Sequence, residues 1–227
     1  MYFDWTYILV LIGAALSLWA SAGVRSTYSK YSKVSALHGI TAVEAAERIL
    51  HGAGIYDVRI EHVAGSLTDH YDSSAKVLRL SDSVYQSSSI AAIGVAAHEC
   101  GHAIQDSEEY MPLRLRHVLV PIVNFGNHLS MPLFILGLIF GMYTTLVPIG
   151  IFLFSFAVLF QFVTLPVEFN ASSRAVAILG DSGMISAEEL PKVKKVLRAA
   201  AYTYLAAAAA SALQLLRLLL IARRRRD

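Results

Sequence analysis

His98, Glu99 and His102 stand in the order His-Glu-x-x-His inside an apolar stretch, Ala91–Gln105, reading AAIGVAAHECGHAIQ. On a helix, positions i and i+4 are one turn apart on the same face, so both imidazoles can reach a single ion. Glu99 then falls beside the metal instead of on it, where a carboxylate can take a proton from water activated by the ion. Imidazole suits zinc, and a hydrolytic zinc site uses three protein ligands with the fourth position open. Residues 91–97 carry no charge, so the helix should be buried beside the metal, as a water-restricted site requires. Two ordinary helical histidines would sit in more polar company. Cys100, the single cysteine of the chain, lies inside the motif. Its direction turns it off the histidine face, and it reads as a small buried filler. A lone cysteine also excludes an intrachain disulfide.

The elements that must position these residues belong to a membrane protein. The 227 residues are 56% apolar and 16% charged, with a mean hydropathy of +0.53, too apolar for an ordinary soluble domain. Residues 5–23 hold no charge and are long enough to span a bilayer, while the preceding MYFD lacks the basic residues of a secretory signal. From His117 to Val167 there is no Asp, Glu, Lys or Arg, against a need of about 20 residues for one crossing. That run predicts a helical hairpin with spans near 118–140 and 148–165, turning near Gly141–Pro148. A fourth segment, 199–222, is Ala-rich, with small residues that let helices approach closely; it either crosses or packs on the bundle. The net charge of +2 is too small for nucleic-acid binding, and the basic residues flank apolar segments as topology signals.

Residues 24–116 and 168–198 remain for a small extramembrane α+β part. Thr41 and Glu44 form a capping box for a helix that Gly52 and Gly54 would stop. Val58–Val63 and Lys76–Leu80 alternate as short strands. The strand at Val77–Leu80 could be an edge that pairs with an extended substrate backbone, or an ordinary core strand.

The motif lacks a third ligand. Glu108, Glu109, His117, His128 and Glu168 follow it. A chain that leaves the membrane after two crossings emerges on the side it entered, which returns Glu168 to the face of His98 and His102. Glu168 is therefore expected on the metal, with an ion pair to Arg174 as its competing role. His70, in DHYD, could serve an oxyanion but more simply ties its loop through local hydrogen bonds. Asn124, Asn127 and His128 share one face of the second span, where interhelical hydrogen bonding is the expectation. Arg174 could meet a substrate carboxylate or pair with a local acid.

The blocks LTDHYDSSAKVLRLSDSVY, AAIGVAAHECGHAIQ and LPVEFNASSRA, in this order and with a hydrophobic hairpin between the last two, resemble the YugP-type membrane zinc metallopeptidases, a neutral zinc peptidase family. The resemblance covers the chain from about Lys30 to the C-terminal Arg run. It implies a mainly α, multi-pass membrane peptidase forming one domain over 1–227, with one zinc on His98, His102 and Glu168 and Glu99 as general base. Better-known gluzincins often place an Asp four residues after the third ligand to orient a histidine. Here Ser172 stands in that place, leaving the task to Asn170, Ser172 or another group.

The function expected is a membrane endopeptidase acting on membrane proteins, their exposed loops or peptides; the alternative is a non-proteolytic zinc-binding scaffold that keeps the fold. Partners are then the substrates and the lipid bilayer, with a membrane-protein partner or homo-oligomer left open. Basic residues around the catalytic segments, among them Arg25, Lys30, Lys33, Arg114, Arg116 and Lys192–Arg198, outnumber the terminal Arg223–Arg226 cluster. The positive-inside tendency therefore favours a cytoplasm-facing site.

Overall fold

The computed structural model describes residues 4–224. In chain order its elements are α1 (Tyr7–Tyr31), α2 (Ala42–Gly52), β1 (Arg59–Val63), β2 (His70–Asp72), β3 (Val77–Ser81), α3 (Ile90–Ser107), α4 (Met111–Ile139), α5 (Leu146–Asp181) and α6 (Leu190–Arg224). The protein is mainly α with one small sheet, as its composition and hydropathy led us to expect. The chain divides into two compact units, and α1, α4, α5 and α6 each contribute residues to both.

One unit comprises Met1–Ser21, Arg114–Pro166 and Thr203–Asp227. α1, α4, α5 and α6 are each long and apolar enough to cross a membrane. α4 and α5 form the predicted hairpin, broken at residues 140–145, where Gly141 takes a positive φ of 69°. Phe134, Val147 and Leu218 form the buried cluster of this unit, whereas Leu18, Trp19 and Phe125 expose their side chains as lipid-facing residues do. Arg217, inside apolar α6, lies 4.2 Å from the ring centre of Tyr7 and 3.9 Å from Asp4, a pairing that an intramembrane cation requires. Asn124, Asn127 and His128 are exposed on α4. The interhelical bonding expected of them is not what this unit shows.

The other unit comprises Ala22–Leu113 and Val167–Tyr202. Its core is continuous, with Leu50, Leu78, Leu80, Ile90, Ile93 and Leu179 all fully buried. The capping box forms as predicted: Thr41 Oγ1 accepts from the Glu44 N–H at 3.4 Å while Glu44 accepts from the Thr41 N–H at 2.9 Å. The sheet order is β1-β3-β2, with β1 parallel and β2 antiparallel to β3. This settles the role of Val77–Leu80. Held between two neighbours, β3 is the central strand and cannot accept a substrate strand. Its residues Val77, Leu78 and Leu80 are buried, which a central strand packed on both faces explains. The edges are β1 and β2, and β2 is a strand too short to show an alternating pattern in the sequence.

Candidate metal centre

α3 begins at Ser89, whose hydroxyl accepts from the Ala92 N–H at 3.2 Å and so caps the helix. Residues Ile90 to Ala97 are buried apart from a partly exposed Val95, and the next turns present His98, Glu99 and His102. The helix can lie close to α5 because Gly101 has no side chain: a Cβ there would stand 2.7 Å from the Ala171 carbonyl oxygen.

His98, His102 and Glu168 each offer a ligand atom, and these atoms lie within 4.8 Å of one another. The Glu168 carboxylate is 3.2 Å from His98 Nε2 and 3.5 Å from His102 Nε2. Metal–ligand bonds near 2.0–2.1 Å in a tetrahedron put ligand atoms about 3.3 Å apart. The donor set and its spacing therefore fit one zinc ion, and the three groups can hold it. Glu108 is committed elsewhere, to Arg174 at 2.6 Å, while His117 and His128 are exposed on α4.

The outer nitrogens of both imidazoles are engaged. His102 Nδ1 is 3.0 Å from Gln105 Oε1. The Gln105 amide N–H groups donate to the Val167 carbonyl at 2.8 Å and to Asn170 Oδ1 at 2.9 Å. An amide oxygen only accepts, so His102 Nδ1 donates to it, and Nε2, which faces Glu168, is the nitrogen where a metal would replace the proton. Asn170 Oδ1 also accepts from Arg174 Nε at 2.7 Å, which extends the chain of bonds from His102 through Gln105, Asn170 and Arg174 to Glu108. Ser172 Oγ lies 3.1 Å from His98 Nδ1. The residue standing where gluzincins carry an Asp thus still meets one of the two motif histidines. The motif's spacing does not single out Gln105, though it sits one turn beyond His102 in the same helix.

Glu99 is partly exposed, and its Oε2 accepts the Tyr71 backbone N–H of β2 at 3.1 Å. Burial pushes its carboxyl above the usual range; His98 and His102 oppose that shift, while Glu168 and Asp69 add to it. Burial alone would lower His102, but the Glu168 and Glu99 carboxylates hold it above an ordinary imidazole. Tyr71 also donates its hydroxyl to Asp106 at 2.8 Å, and Lys76 Nζ binds the same oxygen at 2.7 Å. Tyr71 thereby fastens β2 to α3 at two points, Glu99 within the motif and Asp106 just beyond it. His70 uses both nitrogens locally, against the Thr68 carbonyl at 2.9 Å and Arg79 at 3.4 Å, so it ties the strand. Arg174 takes the local-acid role through Glu108. Cys100 is buried with its Sγ 3.6 Å from the Ala46 carbonyl, and burial pushes the thiol up, so it packs as a filler.

A His-His-Glu group able to hold one metal ion, together with four helices among the described residues able to cross a membrane, defines a membrane protein of zinc-peptidase type. The family described as putative neutral zinc metallopeptidase matches residues 6–223, and the chain belongs to it. The putative membrane protease YugP of Bacillus subtilis (strain 168) is 51% identical over 199 residues, covering 88% of each chain. No solved structure matches.

Proposed function

We propose that the protein is a zinc-dependent endopeptidase, one membrane-integrated domain over residues 1–227, that hydrolyses peptide bonds in membrane proteins or their exposed loops. The observation that supports it most is the convergence of the His98, His102 and Glu168 ligand atoms within 4.8 Å, with Glu99 in the same turn of α3. His98, His102 and Glu168 hold one zinc ion per chain, which when bound supplies Lewis-acid polarisation of the scissile carbonyl and lowers the pKa of water. Glu99 is the general base. Its proton affinity, raised by burial, moves towards that of a base working near neutral pH. It accepts a proton on its carboxylate as water attacks and returns it to the leaving amine. The Tyr71 N–H holds Oε2 and so limits the rotamers open to the base. Gln105 and Ser172 keep both Nε2 atoms turned inward. Substrate must reach this site extended, since helices and paired strands hide their carbonyls.

Two variants test the reading. Glu99→Gln should retain zinc and lose about 100-fold to 10,000-fold in rate, whereas Glu168→Gln should lose zinc and hydrolysis together. Substrates are the membrane proteins that accumulate in cells carrying Glu99→Gln in place of the intact protein. A Glu99→Gln protein that changes no protein's abundance or cleavage would sink the peptidase reading. The basic residues around the catalytic segments favour a cytoplasmic site. Single cysteines at Arg114 and Ser173, in a Cys100→Ala background, should then react with an impermeant reagent from the cytoplasmic side only; labelling from outside overturns that orientation.

A further inference from the structure

A groove of about 850 Å³ runs between α5 and α6, within the roughly 300–1,000 Å³ range of small-molecule sites. On α5 its wall is formed by Pro148, Ile151, Phe152 and Ser155, at helical spacing i, i+3, i+4 and i+7. On α6 Leu215, Leu219, Ala222 and Arg223 continue it. From Leu215 to Arg223 the groove extends along α6 for about 12 Å at 1.5 Å per residue.

The chemistry of the wall is polarised along that length. The Ser155 hydroxyl donates to the Phe152 carbonyl at 2.6 Å, so the stretch between Ile151 and Leu219 offers an occupant little besides apolar surface. The remaining polar groups gather at one end, where Tyr143 and the exposed guanidinium of Arg223 line the mouth. Arg224 follows, and Arg225 and Arg226 continue the run in the sequence. A transmembrane helix seated here would place apolar side chains against a guanidinium. A zwitterionic lipid would bring its own cation to it. An acyl chain ending in a phosphate without an amine satisfies both ends.

We propose that the α5–α6 groove is a binding site for one anionic phospholipid, its acyl chain along Ile151, Phe152 and Leu219 and its phosphate on Arg223. The assignment rests on these helices crossing a bilayer and is independent of the hydrolytic reaction. Basic clusters at the end of a membrane helix favour anionic lipids; the groove adds a fixed seat for the chain.

Full-length protein is extracted from vesicles of equal phosphatidylglycerol and phosphatidylcholine, and retained lipid is counted by native mass spectrometry. One phosphatidylglycerol per chain should be kept over phosphatidylcholine by at least about fivefold, the effect of one basic residue at a lipid surface. Leu219→Trp fills the groove and leaves every arginine in place; it should abolish the retained lipid. Ala222→Leu, a milder filling, should reduce it. Arg223→Gln leaves the groove open and should retain lipid without the preference. Equal retention of the two lipids by the unaltered protein overturns the proposal. So does unchanged phosphatidylglycerol retention in the filled-groove variants, because attraction to the Arg run alone would then suffice.

Discussion

Two glycines bring helices together in this molecule by the same means and to different ends. In α3, a Cβ on Gly101 would lie 2.7 Å from the Ala171 carbonyl oxygen of α5; in α5, a Cβ on Gly150 would lie 2.7 Å from the Ser130 carbonyl oxygen of α4. Around Gly101 the contact is laced by directional bonds, with Gln105 on Val167 and Asn170, and Ser172 on His98. Around Gly150 the hairpin is filled by packing, centred on Phe134 and Val147 with Leu218 of α6. Close packing sets a distance between helices, and that suffices where lipid surrounds them. Hydrogen bonds also set angles. A site whose ligand atoms must converge to tenths of an ångström needs both.

The contrast can be broken at several points. The largest effect should come from Glu99→Gln, with the rate loss given above at unchanged zinc content, because the contact between α3 and α5 stays whole and only the proposed base is removed. Gln105→Leu should weaken zinc binding by about 10-fold to 100-fold, the usual cost of losing a group that orients a ligand histidine; competition with a chelator measures it. Affinity equal to that of the intact protein would mean that packing alone aims His102. Gly101→Ala must push α3 from α5, and overpacking of this kind costs about 1–3 kcal/mol. It should lower zinc affinity as well as thermal stability. Gly150→Ala meets backbone at a similar distance and should cost a similar stability, yet leave zinc affinity within about twofold. Equal damage to zinc binding from both glycines would erase the distinction.

The smallest effect concerns Glu189, whose carboxylate accepts the Leu37 and Ser186 N–H groups at 2.9 and 3.0 Å. Burial pushes its pKa up, but these bonds outweigh burial and hold it below the ordinary carboxyl range. With the folded value depressed, its contribution is complete above the unfolded carboxyl pKa and is lost as pH falls through the folded one. Glu189→Gln should therefore be less stable than the intact protein at pH 7, and the gap should narrow towards pH 3 in thermal melts. A gap independent of pH would assign the difference to packing.

Much of this is legible in the amino-acid sequence. The helix bearing His98, Glu99 and His102, the capping box at Thr41 and the four apolar spans rest on local rules: i, i+4 spacing, side-chain caps and the length of an uncharged run. Even the placement of Glu168 beside both histidines was reachable, because a hairpin returns its chain to the side it left. β2 was not legible, since three residues leave no periodicity, and without it β3 stayed open between an edge and a core strand. The polar stripe of Asn124, Asn127 and His128 was also misread: one helix's periodicity shows that residues share a face but not what that face meets.

By itself, then, the sequence determined a membrane chain carrying a His-Glu-x-x-His helix and a carboxylate returned to the same side by the hairpin. Only the tertiary structure decided which atoms aim the ligands. Gln105 meets Val167 across 62 positions and Ser172 meets His98 across 74. Such pairs depend on how far and at what angle α3 settles on α5. That settling is governed by the missing side chain at Gly101, and no periodicity in either helix encodes it.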